Sequence, residues 1–370
     1  MHVVMTVNKA WNIWNFRLCM VRALLNEGHT ITILAPKDES VENLLALGCQ
    51  FYNLDMSVKG LNPFQDLKLT LRFLSIFKET QPDVVLSYTI KNNIFGALAA
   101  KRARIPFIPN VTGLGTAFLS GGILQGIAQG LYRFAFQDLS VIFFQNTDDR
   151  DLFVSRKLIE KSQARCLPGS GIDLEHYSPK PLIELGNAPI FLMIARLLKD
   201  KGVYEFVEAA RLTQLNFPNS RFQILGATGY ENRTAIPISE VKNWVSESVI
   251  EYLGTTTDVR PFIEAATCVV LPSYREGAPR TLIEAAAMAR PIITTDVAGC
   301  RDILDKDVTG LLCEARDCDS LVRSIRCFLS LSHSTRAQMG VKGREKIERE
   351  FDEKIVVTHY LSAILDSVDL

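Results

Sequence analysis

At 370 residues the chain is long enough for two ordinary α/β domains, and its 47% hydrophobic and 22% charged residues describe a globular protein without low-complexity tracts. Its 41 basic and 41 acidic residues cancel, which argues against a general nucleic-acid binder, since phosphate-backbone binding usually needs a basic surplus. Eight cysteines show no CxxC and no histidine at ligand spacing, which suits free thiols in a reducing compartment rather than disulfides or zinc.

The N-terminus runs straight into the apolar stretch Val3–Val7 with no basic flank or small-residue cleavage site, so it reads as a first strand and not a signal peptide. Strand-like runs then alternate with helical patterns, the signature of parallel α/β layers. In the first half the predicted strands are His2–Val7, Thr30–Leu34, Val84–Tyr88, Pro106–Asn110 and Val141–Phe144. Between them lie helical patterns over Trp14–Glu27, Leu67–Glu79 and Asn92–Arg104. Residues 105–132 carry no charged side chain, a length that would span a bilayer. The stretch nevertheless holds Pro106, Pro109, Asn110, two glutamines and six glycines, so a strand, a glycine loop and an amphipathic helix are expected instead. The first 170 residues carry 18 basic against 13 acidic side chains, a net of +5. Ordinary solvated surface is the simpler reading of that surplus; an anionic lipid partner is the other.

Pro168-Gly169-Ser170-Gly171-Ile172-Asp173 is turn-rich and suits an interdomain hinge. Beyond it the strands Ile190–Ala195, Arg221–Leu225, Val249–Leu253, Cys268–Leu271 and Pro291–Thr294 repeat the scheme, and a last helix is expected over Glu353–Ser367.

The richest segment is Leu271-Pro-Ser-Tyr-Arg-Glu-Gly-Ala-Pro-Arg-Thr-Leu-Ile-Glu-Ala. A strand ends at Leu271, a loop follows, and Pro279 marks the first turn of a helix reaching about Met288. Proline there costs no hydrogen bond. The backbone N–H groups around Arg280, Thr281 and Leu282 are expected to open outward as a phosphate cradle. Helix-end electrostatics supply only ~0.3–2 kcal/mol, so charged side chains must add to them. Arg196 and Lys201, in Ile194-Ala-Arg-Leu-Leu-Lys-Asp-Lys-Gly, follow another strand of the same half and are the candidates. Ligands collect at the carboxyl ends of such strands, and two cations with a helix N-terminus can hold a diphosphate as a leaving group without a metal. Glu276 and Glu284 would flank it, one reading the sugar and the other the ribose diol. The only DxD match, Asp317-Cys318-Asp319, precedes a helical run where aspartate is an expected cap.

This segment resembles the EX7E signature of family 4 glycosyltransferases, and Arg196 with Lys201 resembles that family's paired donor-phosphate cations. Gly254 with Asp258-Val259, Pro272-Ser273, and Gly171-Ile172-Asp173 fit the same pattern. The resemblance implies an α/β chain of the GT-B fold, two Rossmann-like domains facing a cleft. Residues 1–168 would form the acceptor side, with a terminal helix at about 353–370 packing back on it, and residues 171–350 the nucleotide-sugar domain. It also implies a retaining hexosyl transfer with no cofactor beyond the donor and no divalent metal. Glu276, Arg196 and Lys201 would be catalytic, and Glu284, Gly277, Ala278, Arg280, Thr281, Leu282 and Gly254 would bind the donor.

The acceptor half departs from the commoner pattern. Asn8–Arg17 replaces a glycine pair after the first strand, and Thr112 stands where many members carry histidine. A threonine cannot act as a base at neutral pH. Phe16-Arg17, Leu61-Asn62-Pro63-Phe64, Lys91-x-Asn93-x-Phe95-Gly96 and Gly113-Leu114-Gly115 resemble a narrower bacterial group, which extends undecaprenyl-diphosphate-linked oligosaccharides and is typified by N-acetylgalactosaminyltransferases. That resemblance implies a UDP-sugar donor, UDP-GalNAc being the first choice, and a lipid-linked saccharide acceptor. It also implies peripheral contact with the cytoplasmic face of the inner membrane. Asn15, Arg17, Lys91, Thr112 and Gly113 are the acceptor-side candidates, and Lys68, Arg72 and Lys78 offer cations along one helix. A nucleotide-sugar epimerase and a non-catalytic nucleotide-sugar sensor are the competing readings.

Overall fold

The computed structural model describes residues 1–56, 62–115, 118, 122–184, 188–229 and 234–368. Leu61, one of the residues of the narrower resemblance, lies outside them. The chain forms two compact units, Met1–Ser170 with Glu353–Leu370, and Gly171–Asp352.

In the first unit the strands are β1 (His2–Thr6), β2 (Thr30–Ala35), β3 (Gln50–Asn53), β4 (Val84–Tyr88), β5 (Phe107–Val111), β6 (Ile142–Phe144) and β7 (Ala164–Cys166). They pair in the order β3-β2-β1-β4-β5-β6-β7, all parallel. Side chains alternate between two apolar layers as the pleat requires. Val3, Met5, Val84 and Leu86 meet α1 (Ala10–Phe16), α2 (Leu18–Asn26), α3 (Val41–Ala46) and the C-terminal α14 (Glu353–Val368). Val4, Val85, Ile142 and Phe144 face α4 (Pro63–Thr80), α5 (Ile90–Ala103), α6 (Gly122–Phe136) and α7 (Thr147–Ser155). Within that second layer Phe118 stacks on Phe153 at 5.2 Å, and Tyr132 meets Phe153 edge-on at 5.0 Å. Burying each such ring contributes about 1.5–3 kcal/mol.

The second unit holds β8 (Ile190–Ile194), β9 (Arg221–Leu225), β10 (Glu251–Tyr252), β11 (Cys268–Leu271), β12 (Ile292–Thr295) and β13 (Gly310–Cys313), in the parallel order β10-β9-β8-β11-β12-β13. Its helices are α8 (Val203–Gln214), α9 (Ile238–Ser246), α10 (Arg260–Ala265), α11 (Arg280–Ala287), α12 (Cys318–Ser330) and α13 (His333–Glu350). The fully buried Arg290 ties this unit together, its guanidinium donating to the carbonyls of Lys180, Pro181, Ile263, Glu264 and Met288. In each sheet the strand order reverses beside the first strand, between β1 and β4 and between β8 and β11. Ligand crevices open at such switch points, beyond the strand carboxyl ends.

Four expectations are corrected. The single helix over Trp14–Glu27 is two, because Arg17 leaves helical geometry at φ −135° and draws its side chain inward. The helix predicted from Leu67 begins at Pro63, where the Asn62 side chain accepts from the Phe64 and Gln65 N–H groups. Pro279 is the N-cap of α11, with extended ψ, rather than a residue of its first turn. Finally β3, β7 and β13 join sheets for which no strand was expected, each being only three or four residues long. Asp317 caps α12 as expected, accepting from the Ser320 N–H at 2.8 Å.

Candidate active site

The second unit brings Lys201, Glu276 and Ser273 together at the carboxyl ends of β8 and β11. After β8 the chain makes a 3₁₀ turn over Lys199–Lys201 and leaves it through Gly202, which is left-handed at φ +74°. A Cβ at Gly202 would stand 2.1 Å from the Pro272 carbonyl oxygen, so only glycine lets the two loops approach this closely. The Tyr274 N–H then donates to the Asp200 carbonyl at 2.9 Å, tying the β11 loop to the β8 loop. Across that seam the Lys201 ammonium lies 2.5 Å from Glu276 Oε1, and Ser273 Oγ donates to the same oxygen at 2.7 Å. The Lys201 and Glu276 side chains are only 19% and 13% exposed, so their attraction is screened far less than at a surface. Ser273 is itself fixed by Thr295, whose hydroxyl donates to the Ser273 carbonyl. The Glu276 N–H donates to Ala298 O, and Gly299 packs against the Glu276 and Gly277 carbonyls.

The helix start is narrower than expected. The Leu282 N–H donates back to Pro279 O at 3.0 Å, which withdraws it from the anticipated phosphate cradle. Thr281 is anchored by its hydroxyl, which donates to Ile194 O at 3.0 Å and so joins α11 to the end of β8. One turn into α11, Glu284 is buried with a 10% exposed side chain, and Oε1 accepts from Arg280 Nε at 2.9 Å and from the Tyr177 hydroxyl at 3.0 Å. Burial raises the Glu284 carboxyl above its usual range, with Arg280 and Tyr177 opposing the rise. Gly277 and Ala278 line the half-buried loop before the helix, Arg196 is exposed just beyond β8, and Gly254, at φ +72°, accepts from the Gly226 N–H beyond β10.

Tyr177 and Arg260 had not been singled out. Tyr177 is 107 positions from Glu284, and no spacing in the sequence links them. Arg260 holds Asp258 through two hydrogen bonds of 2.8 Å, which keep that carboxyl below its usual range, and it also reaches the His176 ring.

The acceptor-side candidates of the first unit separate. Arg17 is 4% exposed, stacked at 4.7 Å over the Tyr88 ring and donating to Phe16 O, so its guanidinium serves the interior rather than a ligand. Asn15 is exposed and bonded to Trp11 O, while Trp14 packs against the core. Thr112 and Gly113 follow β5, both half-buried. Lys91, on the first turn of α5, pairs with the buried Asp66 at 2.9 Å and lines a cavity of about 640 Å³ with Lys68, Arg72, Asp55 and Met56. Lys78 lies outside that lining. Close by, Thr89 holds φ +75°, a conformation costly for a β-branched residue. Its hydroxyl donates to Asn92 Oδ1, and Asn92 donates to Thr6 Oγ1, so the strain is held by a bonded chain linking β1 to α5.

Known proteins give this arrangement its context. Residues 178–346 match the family described as "Glycosyl transferases group 1", and residues 2–146 match "Glycosyl transferase 4-like". The chain is 27% identical to the N,N'-diacetylbacillosaminyl-diphospho-undecaprenol alpha-1,3-N-acetylgalactosaminyltransferase of Campylobacter jejuni, over 95% of this chain and 94% of that one. It is 23% identical to the UDP-Gal:alpha-D-GlcNAc-diphosphoundecaprenol alpha-1,3-galactosyltransferase of Escherichia coli, over 82% and 80% of the two chains. The solved structure of Anabaena HepE with UDP and glucose superposes with a TM-score of 0.79 at 17% identity, covering 99% of this chain and all of that one. A glycosyltransferase from Rickettsia africae gives 0.78 at 18% identity, covering 99% and 98%. The fold is GT-B, and the chain is a glycosyltransferase, carrying a 4-like domain in its first unit and a group 1 domain in its second.

Proposed function

We propose that the chain transfers a sugar, N-acetylgalactosamine by preference, from a UDP-sugar to an undecaprenyl-diphosphate-linked saccharide with retention of configuration. The observation that carries this reading is the shared oxygen of Glu276, held by Lys201 and Ser273 beside the start of α11. A carboxylate fixed by two donors is oriented before the donor sugar arrives, and its second oxygen can accept a sugar hydroxyl. Lys201 and the nearby Arg196 would hold the departing diphosphate, adding to the N-terminal end of α11. Glu284, steadied by Tyr177 and Arg280, would read the ribose diol.

In the first unit no residue at the Thr112 position serves as a neutral-pH base. The departing phosphate oxygen then takes the acceptor hydroxyl proton as the new glycosidic bond forms on the same face. The cationic cavity of Lys68, Arg72 and Lys91 suits the acceptor diphosphate. The names of the Campylobacter and Escherichia relatives support both the lipid diphosphate and an alpha-1,3 linkage. They divide on the sugar, one using N-acetylgalactosamine and the other galactose. A site of action at the cytoplasmic face of the inner membrane belongs to the same proposal. Turnover of labelled UDP-sugars with a panel of undecaprenyl-diphosphate saccharides tests it. Transfer is expected with UDP-GalNAc; tight UDP binding with no transfer to any lipid-linked acceptor defeats the reading.

A further inference from the structure

Helices α4 and α6 lie in the same layer of the first unit, with α5 between them. Both begin at the carboxyl ends of their preceding strands, the end where the crevice of this sheet opens. Their opening turns carry large apolar side chains that no described residue covers. Phe64 is 87% exposed and Leu67 and Leu71 more than half exposed on α4; Ile123 is 85% exposed and Ile127 about half on α6. Phe64, Leu67 and Leu71 follow i, i+3, i+7 spacing and form one stripe, with Lys68 and Arg72 flanking it. The first two turns of α5 are buried, so the two apolar ridges stand proud on either side of it.

The charges of these helices are as one-sided as their apolar residues are exposed. Among the described residues α4, α5 and α6 expose Lys68, Arg72, Lys78, Lys101, Arg102 and Arg133, against the single acid Glu79. Asp66, the other acid of α4, is buried against Lys91. Exposed apolar side chains in a protein interface are ordinarily surrounded by mixed charge. Apolar side chains interleaved with cations alone match the boundary between acyl chains and anionic headgroups. No helix of the described residues is long and apolar enough to cross a membrane, so this surface would lie on the bilayer.

We infer that the opening turns of α4 and α6 dock this unit on an anionic lipid surface, with Phe64, Leu67, Leu71, Ile123 and Ile127 entering the headgroup layer. Lys68 and Arg72 also line the 640 Å³ cavity, so docking sets that cavity at the membrane edge, where the diphosphate of a lipid-linked acceptor resides. The inference rests on the lipid-linked acceptor reading for its purpose, but its physical basis is independent of it.

Sedimentation of the full chain with vesicles of phosphatidylglycerol and phosphatidylethanolamine, against phosphatidylcholine alone, is the test. Wild type should pellet with the anionic vesicles and be released by salt. Lys68→Gln with Arg72→Gln should weaken the partition by about 25-fold, at roughly five-fold for each cation near the surface. Phe64→Gln with Leu67→Gln, Ile123→Gln and Ile127→Gln should weaken it at least tenfold, while UDP affinity and transfer to a short-chain, water-soluble diphosphate acceptor stay unchanged. Equal pelleting on both vesicle types, or wild-type pelleting by the apolar variant, overturns the inference. So does a change of oligomeric state in that variant, which would mark the surface as a contact between copies. Vesicle binding without transfer would instead defeat the acceptor reading and leave the docking surface standing.

Discussion

The Lys201 ammonium stands 2.5 Å from Oε1 of Glu276, although 75 positions separate the two residues in the chain. A lysine so placed can exchange its carboxylate for a diphosphate oxygen when the donor binds, leaving Glu276 still oriented by Ser273. The pair therefore makes a distinct prediction for each partner.

Lys201→Ala should lower kcat for transfer by about 100- to 1,000-fold, the usual effect of removing one preorganised donor to a developing anion. Ser273→Ala should lower it less, by about tenfold, because Lys201 still holds Glu276. Both are measured by steady-state transfer alongside UDP-sugar affinity, with circular dichroism to verify folding. Near-normal kcat in Lys201→Ala would exclude its leaving-group role.

Gly299 tests the backbone behind Glu276. At φ +78°, a Cβ there would lie 2.4 Å from Gly277 O and 2.5 Å from Glu276 O. Gly299→Ala should cost about 1–3 kcal/mol of stability from backbone strain and clash, and reduce transfer at least tenfold by displacing the Glu276 loop. Gly28→Ala is the control: it shares φ +78° but meets nothing within 4 Å, so it should lose stability and keep transfer. Chemical denaturation and initial rates on both variants separate strain from displacement. Equal activity in the two would show that the loop tolerates the added carbon.

Glu284 predicts a pH dependence of known sign. Burial raises its folded-state pKa, so the folded chain holds this proton more tightly than the unfolded chain. Its contribution to stability is fully present below the ordinary glutamate pKa of about 4.3 and is lost as pH rises through the elevated folded value. Glu284→Gln removes that loss. The urea midpoint of wild type should therefore fall relative to the variant as pH increases across this window; a constant difference would show that no raised carboxyl titrates there.

Removal of divalent ions should leave transfer within about two-fold of its starting rate. Arg196, Lys201 and the α11 start together supply the positive field that a metal provides in other phosphate chemistry. Assay after EDTA treatment and gel filtration measures this. Loss of activity restored by manganese or magnesium would overturn the metal-free proposal.

Much of the fold was legible because strand and helix periodicities are local properties. The alternation around β1, β4, β8 and β11 is carried by runs such as Val3–Val7 and Cys268–Leu271, whose apolar side chains cannot remain in water. The short edge strands were not, since the four residues Gln50–Asn53 hold too few turns of the period to register. Within the site, Pro279 and the two glutamates marked the α11 segment, because a proline at a helix start and a glycine-bearing loop have local conformational causes. Tyr177 had no such cause. Nor did the burial of Arg17, whose place depends on Tyr88 being folded beneath it.

The Glu276–Glu284 segment, the cations at Arg196 and Lys201 and the parallel α/β scheme were thus determined by sequence, through propensity, turn chemistry and charge. Tertiary structure alone decided that Lys201 reaches Glu276, that Ser273 shares the same oxygen, and that Leu282 turns its N–H inward. It also decided that Arg17 is interior and that Lys91 pairs with Asp66. The physical reason is the same in each case. A side chain's partner is set by which strands lie side by side, and the order β10-β9-β8-β11-β12-β13 places β8 against β11 only after the chain has closed.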